Sequence, residues 1–191
     1  MSCVAAIIDK DKTIWMGCDS LCSGTYNITL TSPKIVTKRS DDGMLWMFGV
    51  CGSLRIFDIL DSMGSPPPIP KKQDLQRYIR SCLIPEFQKA LRNAAIIQKK
   101  DGMETMNSTT ILLGVSGRLF IINENLAVIE QVEKYAAVGS STGLALGSLH
   151  TTEKLKWNPK KRLTIALEAA GCFDGSVRGP FHILKIKNPA K

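Results

Sequence analysis

Apolar residues arrive along this chain in two rhythms: short runs cut by turn residues, and longer stretches with a helical repeat. Ser2-Cys3-Val4-Ala5-Ala6-Ile7-Ile8 opens a predicted strand over 3–9, and a tight turn at Asp9-Lys10-Asp11-Lys12 returns it as a second strand over 13–19. A short extended piece over 26–31 leads to Pro33, which biases Ser32 toward extended geometry. Strands over 34–38 and 44–51 follow, with Ser40-Asp41-Asp42-Gly43 as their turn. Near Ser53 the period changes, and Ile56, Ile59, Leu60 and Met63 fall on one helical face. The stretch Gly64-Ser65-Pro66-Pro67-Pro68-Ile69-Pro70 cannot be helix and reads as an exposed connector.

A long helix is expected over 73–99, with Leu75, Tyr78, Ile79, Cys82, Leu83, Phe87 and Leu91 at helical spacing and a kink at Pro85. The polar segment 99–107 reads as loose. Strands over 109–116, 118–123, 127–133 and 135–139 come next, with turns at Gly117 and at Asn123-Glu124-Asn125. Two helices, over 142–154 and 160–173, precede a last strand over 180–187. Strands, two helices, strands, two helices, strand: that order suits two stacked antiparallel sheets between two helical layers, an α+β four-layer αββα sandwich.

Composition narrows the class. With 191 residues, 44% hydrophobic and 22% charged, the chain is expected to be one globular domain over 1–191. No apolar run approaches the roughly 20 residues of a membrane span, and charges at Asp9 to Lys12 interrupt the start too early for a signal peptide, so the expected location is cytoplasmic and no membrane partner is expected. Six cysteines lie in apolar stretches without CxxC pairs or nearby histidines, which reads as reduced thiols with no metal or cofactor. The formal charge of +8 is spread along the chain, densest at Lys154, Lys156, Lys160, Lys161 and Arg162, without a nucleic-acid-binding module. A solvated basic face accounts for it, and it would help attract an acidic substrate or partner.

The candidate chemistry lies at the start. A serine at position 2 lets methionine aminopeptidase remove Met1, leaving an amine and a hydroxyl on one residue. Such an amine, with an ordinary pKa of about 7.7–8.0, can serve as base for its own hydroxyl. No histidine is then needed, in a chain with only His150 and His182.

Four motifs, "MSCVAAI", "MGCDSLCSG", "FGVCGSLR" and "AAVGSSTGLALG", occur in order on the expected elements. With them the chain resembles the proteasome β-subunit superfamily of N-terminal nucleophile hydrolases, most of all the compact bacterial and phage proteasome-like subunits. The likeness extends over roughly 2–60 and 108–187, the helices between matching in pattern only. It places Ser2 at the family's nucleophile, normally threonine, and Asp19 at the carboxylate that orients the active-site lysine, Lys34. It places Gly52 at the oxyanion-hole glycine and Ser140 at the serine that bonds the terminal amine and relays its proton. Taken singly these residues have other uses: Asp19 as a turn residue with Ser20, Lys34 as a surface lysine, Gly52 as relief of crowding, Ser140 or Ser141 as a helix cap.

The chain departs from the family pattern in several places. The first hairpin is one residue longer, so counting back from Asp19 selects Cys3; an extra residue in the Asp9–Lys12 turn restores Ser2. The Asp19–Lys34 spacing is short by about one residue. Serine lacks the γ-methyl that restrains threonine. The family's late-loop Asp and Ser have no clear counterparts in "GCFDGSVRG", where Asp174 or Ser176 would have to substitute.

What the resemblance implies is a peptidase acting on peptides or unfolded protein, assembled as a homo-oligomeric ring and open to an ATP-dependent unfoldase. The alternative is a catalytically silent scaffold or assembly subunit. A nucleic-acid-binding domain rests on charge alone.

Overall fold

The computed structural model describes residues 2–23, 26–70, 73–100 and 102–187; Met1, on which the expected processing falls, lies outside them. Strand β1 (Cys3–Ile8) shows why its run has no polar face. Cys3, Ala5 and Ile7 pack toward helices, whereas Val4 and Ala6 pack toward a second sheet, so both sides are apolar.

Around β1 a four-stranded antiparallel sheet forms with β2 (Ile14–Cys18), β12 (Tyr135–Gly139) and β13 (His182–Ile186), in the order β12-β1-β2-β13. Val4 lies opposite Cys18, and Cys3 opposite Gly139. The second sheet contains β5 (Ile35–Arg39), β6 (Leu45–Cys51), β9 (Thr110–Val115), β10 (Arg118–Ile122) and β11 (Val128–Glu130), in the order β11-β10-β9-β6-β5.

Three apolar layers hold these elements. Between the sheets, Val4, Ala6, Met16 and Cys18 meet Ile35, Met47, Leu112 and Leu119. On the outer face of the first sheet, Ala145 and Leu149 of α4 (Thr142–Thr151) and Leu163, Ala166 and Leu167 of α5 (Pro159–Phe173) cover β1 and β12. On the outer face of the second, Trp46 and Phe48 pack with Ile56 and Leu60 of α1 (Leu54–Ser62), Tyr78 of α2 (Leu75–Tyr78) and Phe87 of α3 (Ile84–Asn93). The result is the expected αββα sandwich of two stacked antiparallel sheets.

Two expectations need correction. The helix expected over 73–99 ends at Asn93, and Ala95, at φ 55°, turns the chain out of it. Its irregularity is a π-helical turn, Ile79–Leu83, in which Ile84 N–H reaches back to Ile79 O. Pro85 follows at once; lacking an N–H, it cannot continue the usual ladder, and the wider turn accommodates it. The segment expected to be loose over 99–107 instead holds a hairpin, β7 (Gln98–Lys100) with β8 (Met103–Thr105). Arg92 pins it to α3 through Glu104 at 2.7 Å, and Thr105 and Met106 are buried below. A further short hairpin joins β3 (Leu21–Cys22) to β4 (Ile28–Thr29). Among the described residues no helix is long and apolar enough to cross a membrane.

Candidate active site

The antiparallel register brings one end of both sheets to a common place: the start of β1, the ends of β2, β6 and β12, and the starts of β5 and β13. Asp19 follows β2 and Lys34 precedes β5, so they approach from different sheets. Lys34 Nζ lies 2.8 Å from Ser2 Oγ, 2.9 Å from Asp19 Oδ2 and 2.5 Å from the Leu21 carbonyl. These three acceptors match the three donors of an ammonium.

All three side chains are withdrawn from water: Ser2 is 5% exposed, Asp19 0% and Lys34 3%. Asp19 also accepts from backbone: Cys3 N–H at 3.0 Å on Oδ1 and Leu21 N–H at 2.9 Å on Oδ2. The carboxylate thereby fixes both Lys34 and the backbone next to Ser2. Its neighbour Ser20 bonds the late loop, with N–H to Arg178 O at 3.0 Å and hydroxyl to Pro180 O.

Ser2 and Cys3 face opposite sides of β1. The β1–β2 connection spans Asp9 to Thr13, closed by Asp9 N–H to Thr13 O at 2.8 Å, with Lys12 at φ 62°. The hydroxyl beside Lys34 is that of Ser2. Cys3 points the other way, into the apolar layer under α4 and α5. Burial, and then the charge of Asp19, push its thiol up to about 12, far from the thiolate a nucleophile requires.

Ser2 is held from its other side by β12. Ser140 N–H donates to the Ser2 carbonyl at 3.1 Å. Gly139 sits at φ 109°, and a Cβ there would overlap that same carbonyl oxygen, so glycine is required. Cys51 Sγ, which donates to Val138 O at 3.3 Å, lies against the same spot, and Gly52 follows it at the strand-to-helix turn. Gly52 is exposed, at φ 132°, ahead of the first turn of α1. An amide and a helix N-terminus there can meet developing negative charge.

In the late loop, where Asp174 or Ser176 would have to substitute for the family's residues, the structure gathers a hydrogen-bonded cluster. Asp174, at the C-terminal cap of α5, accepts Ser140 Oγ at 2.7 Å and Ser141 Oγ at 2.5 Å on Oδ2. Its Oδ1 accepts Ser176 N–H at 2.8 Å and Ser176 Oγ at 2.5 Å. Ser140 and Ser176 hydroxyls are themselves 3.2 Å apart. Hydrogen bonds from Ser141, Ser176 and Ser140 hold the Asp174 carboxyl well below the usual carboxylate range. Of the two serines that could cap α4, Ser141 holds the cap position, but its hydroxyl makes no capping bond and donates to Asp174 instead. The signal was present, as two adjacent serines after β12 and an Asp-x-Ser after α5, but spacing alone cannot show that they meet.

The dense basic cluster lies elsewhere, in the α4–α5 connection and the start of α5. Arg162 is used internally, donating to Leu149 O at 2.7 Å, and Lys161 covers the Trp157 ring at 4.2 Å. Among the described residues no three His, Cys, Asp or Glu side chains group to hold a metal ion.

No family model matches the chain, and no curated protein matches it in sequence. Solved structures do. BPH from Thiobacillus denitrificans is similar at 20% identity and TM-score 0.76, covering 97% of each chain. The same protein in complex with epoxomicin gives 19% identity and TM-score 0.75, covering 98% of this chain and 100% of that one. Eukaryotic HslV from Trypanosoma brucei follows at 13% identity and TM-score 0.66, covering 97% and 99%. Anbu from Pseudomonas aeruginosa, solved as a helical assembly, shows 14% identity and TM-score 0.67, covering 97% of this chain and 81% of its own. The chain thus has the proteasome-like fold of the N-terminal nucleophile hydrolases, as its four motifs led one to expect.

Proposed function

We propose that this chain is a proteasome-like peptidase whose nucleophile is Ser2 after removal of Met1. The observation that carries this reading is the placement of Lys34 Nζ 2.8 Å from Ser2 Oγ and 2.9 Å from Asp19 Oδ2. A hydroxyl, a cation and an orienting carboxylate on one buried contact are what nucleophilic attack by serine requires.

In this reading the Ser2 hydroxyl adds to a peptide carbonyl while its own amine takes the proton. The Lys34 cation disfavours protonation of that amine and stabilises charge on oxygen. Gly52 N–H receives the oxyanion. The amine returns the proton to the leaving nitrogen, leaving an ester on Ser2, and water attacks that ester by the same route in reverse. Ser140, polarised by Asp174, relays the proton beside the amine.

Serine in place of threonine, and a late loop that departs from the family pattern, are what favour the alternative of a catalytically silent scaffold or assembly subunit. Asp174, which gathers three serine hydroxyls, supports the peptidase reading over that alternative. The wider reading is a single domain over 1–191. It forms a homo-oligomeric, cytoplasmic endopeptidase for peptides or unfolded protein, with an ATP-dependent unfoldase as candidate partner. The helical assembly of Anbu supports the oligomeric part.

Purified protein is expected to hydrolyse fluorogenic peptides, with Ser2→Ala lowering the rate by about a thousandfold or more and Ser2→Thr retaining activity. Equal hydrolysis by Ser2→Ala and wild type would exclude this site.

A further inference from the structure

The turn that carries Gly52 is held by a residue from a different strand. Helix α1 begins without help from its own cap: Ser53 is extended, at φ −73° and ψ 124°, and its side chain makes no capping bond. Thr109, at the threshold of β9, takes the role, its Oγ1 accepting Ser53 N–H at 3.1 Å. Thr109 is fully buried. The same oxygen lies 2.5 Å from where a Cβ on Gly52 would stand, and the Thr109 Cα 2.7 Å, so the turn rests directly on this residue.

The approach to Thr109 is unusual. Two consecutive non-glycine residues, Asn107 at φ 45° and Ser108 at φ 57°, occupy the left-handed region. Such a pair persists only where its surroundings impose it. Here Glu124 does so, accepting Ser108 N–H on its carboxylate at 3.0 Å and Met106 N–H on its carbonyl at 2.7 Å. The β10–β11 turn thus clamps the strained segment that delivers Thr109 beneath Gly52.

We propose that Thr109 is a positioning residue for the oxyanion donor. Its hydroxyl fixes the Gly52–Ser53 peptide and occupies Ser53 N–H, while its backbone closes the space behind Gly52. Together these set the direction of the preceding amide, Gly52 N–H, and leave it as the one presented to the reacting carbonyl. The inference rests on Ser2 as nucleophile and adds a residue from an element that the mechanism does not otherwise use.

The test is a pair of substitutions in the full chain. Thr109→Val keeps the shape and removes the hydroxyl; Thr109→Ser keeps the hydroxyl. Since losing an oxyanion donor outright costs about a hundredfold or more in kcat, misaiming it in Thr109→Val is expected to cost about tenfold, with KM changed by less than about twofold. Thr109→Ser is expected to stay within about twofold of wild type in both. Hydrogen exchange at the Ser53 amide gives a reading independent of catalysis: faster by about tenfold or more in Thr109→Val and unchanged in Thr109→Ser. Unaltered kcat in Thr109→Val despite faster exchange overturns the positioning role and leaves Ser2 in place. Equal loss in both variants reduces Thr109 to packing and overturns it as well. A wild type that neither hydrolyses peptide nor distinguishes itself from Ser2→Ala overturns both readings.

Discussion

Asp19 and Asp174 reach the surroundings of Ser2 by different routes, through Lys34 and through Ser140, and are satisfied differently. Asp19 forms a buried ion pair with Lys34, whereas hydroxyls and one amide meet Asp174. The folded pKa of Asp174 lies below the unfolded value, so folding favours the ionised form. Its contribution to stability is therefore full above the ordinary aspartate pKa of about 3.9, and is lost as pH falls through the depressed folded value. Thermal melts of wild type and Asp174→Asn should show a stability gap that is constant above about pH 4 and closes on further acidification. A gap that does not change between neutral and strongly acidic pH would mean that the hydrogen bonds do not favour the charge. At this scale much was legible. Ser2 and Asp19 stood in two of the motifs and Lys34 followed from the resemblance they carry, and the structure places Lys34 Nζ within 2.9 Å of both. Asp174 was harder, because its partners come from a helix start 33 and 34 residues away.

Among the elements, β1 and β12 show how a strand end can serve as a clamp. Cys3 pairs with Gly139, and just beyond it the Ser2 carbonyl accepts Ser140 N–H at 3.1 Å. That approach is possible because position 139 has no side chain and adopts φ 109°. Gly139→Ala should therefore destabilise the protein by about 3 kcal/mol, from left-handed strain and from overlap with a backbone oxygen that cannot rotate away. Urea unfolding measures it; a loss below about 1 kcal/mol would show that β12 and Ser2 can part without cost. Period-two and helical patterns located the strands and most helices, because burial on defined faces dictates them. They misjudged the helix end at Asn93, where the apolar spacing runs on past a backbone reversal at Ala95. They also missed β7 and β8, which are three residues each and mostly polar, too short to show alternation, and which Glu104 ties to α3.

For the molecule as a whole, the site is where two sheets are tied together. Lys34 enters from the edge strand of one sheet to reach Ser2 and Asp19 of the other, across an otherwise apolar interface. Removing one partner of such a buried pair typically costs about 3–5 kcal/mol, so the groups proposed for catalysis are also part of what closes this end of the sandwich. The stacked αββα order was legible because each layer needs apolar residues on stated faces; the release of the Ser2 amine was not, since no residue pattern reports whether Met1 is removed. An epoxyketone such as epoxomicin, found bound to Thiobacillus denitrificans BPH, offers a carbonyl to a hydroxyl and an epoxide carbon to an amine. Only a residue presenting both groups can take up both ends. Tandem mass spectrometry of the treated protein should therefore find Met1 absent and one inhibitor joined to Ser2 through both nitrogen and Oγ. Protein that retains Met1, or carries the inhibitor on Cys3 or not at all, would contradict the proposal that a liberated serine amine and hydroxyl perform the chemistry.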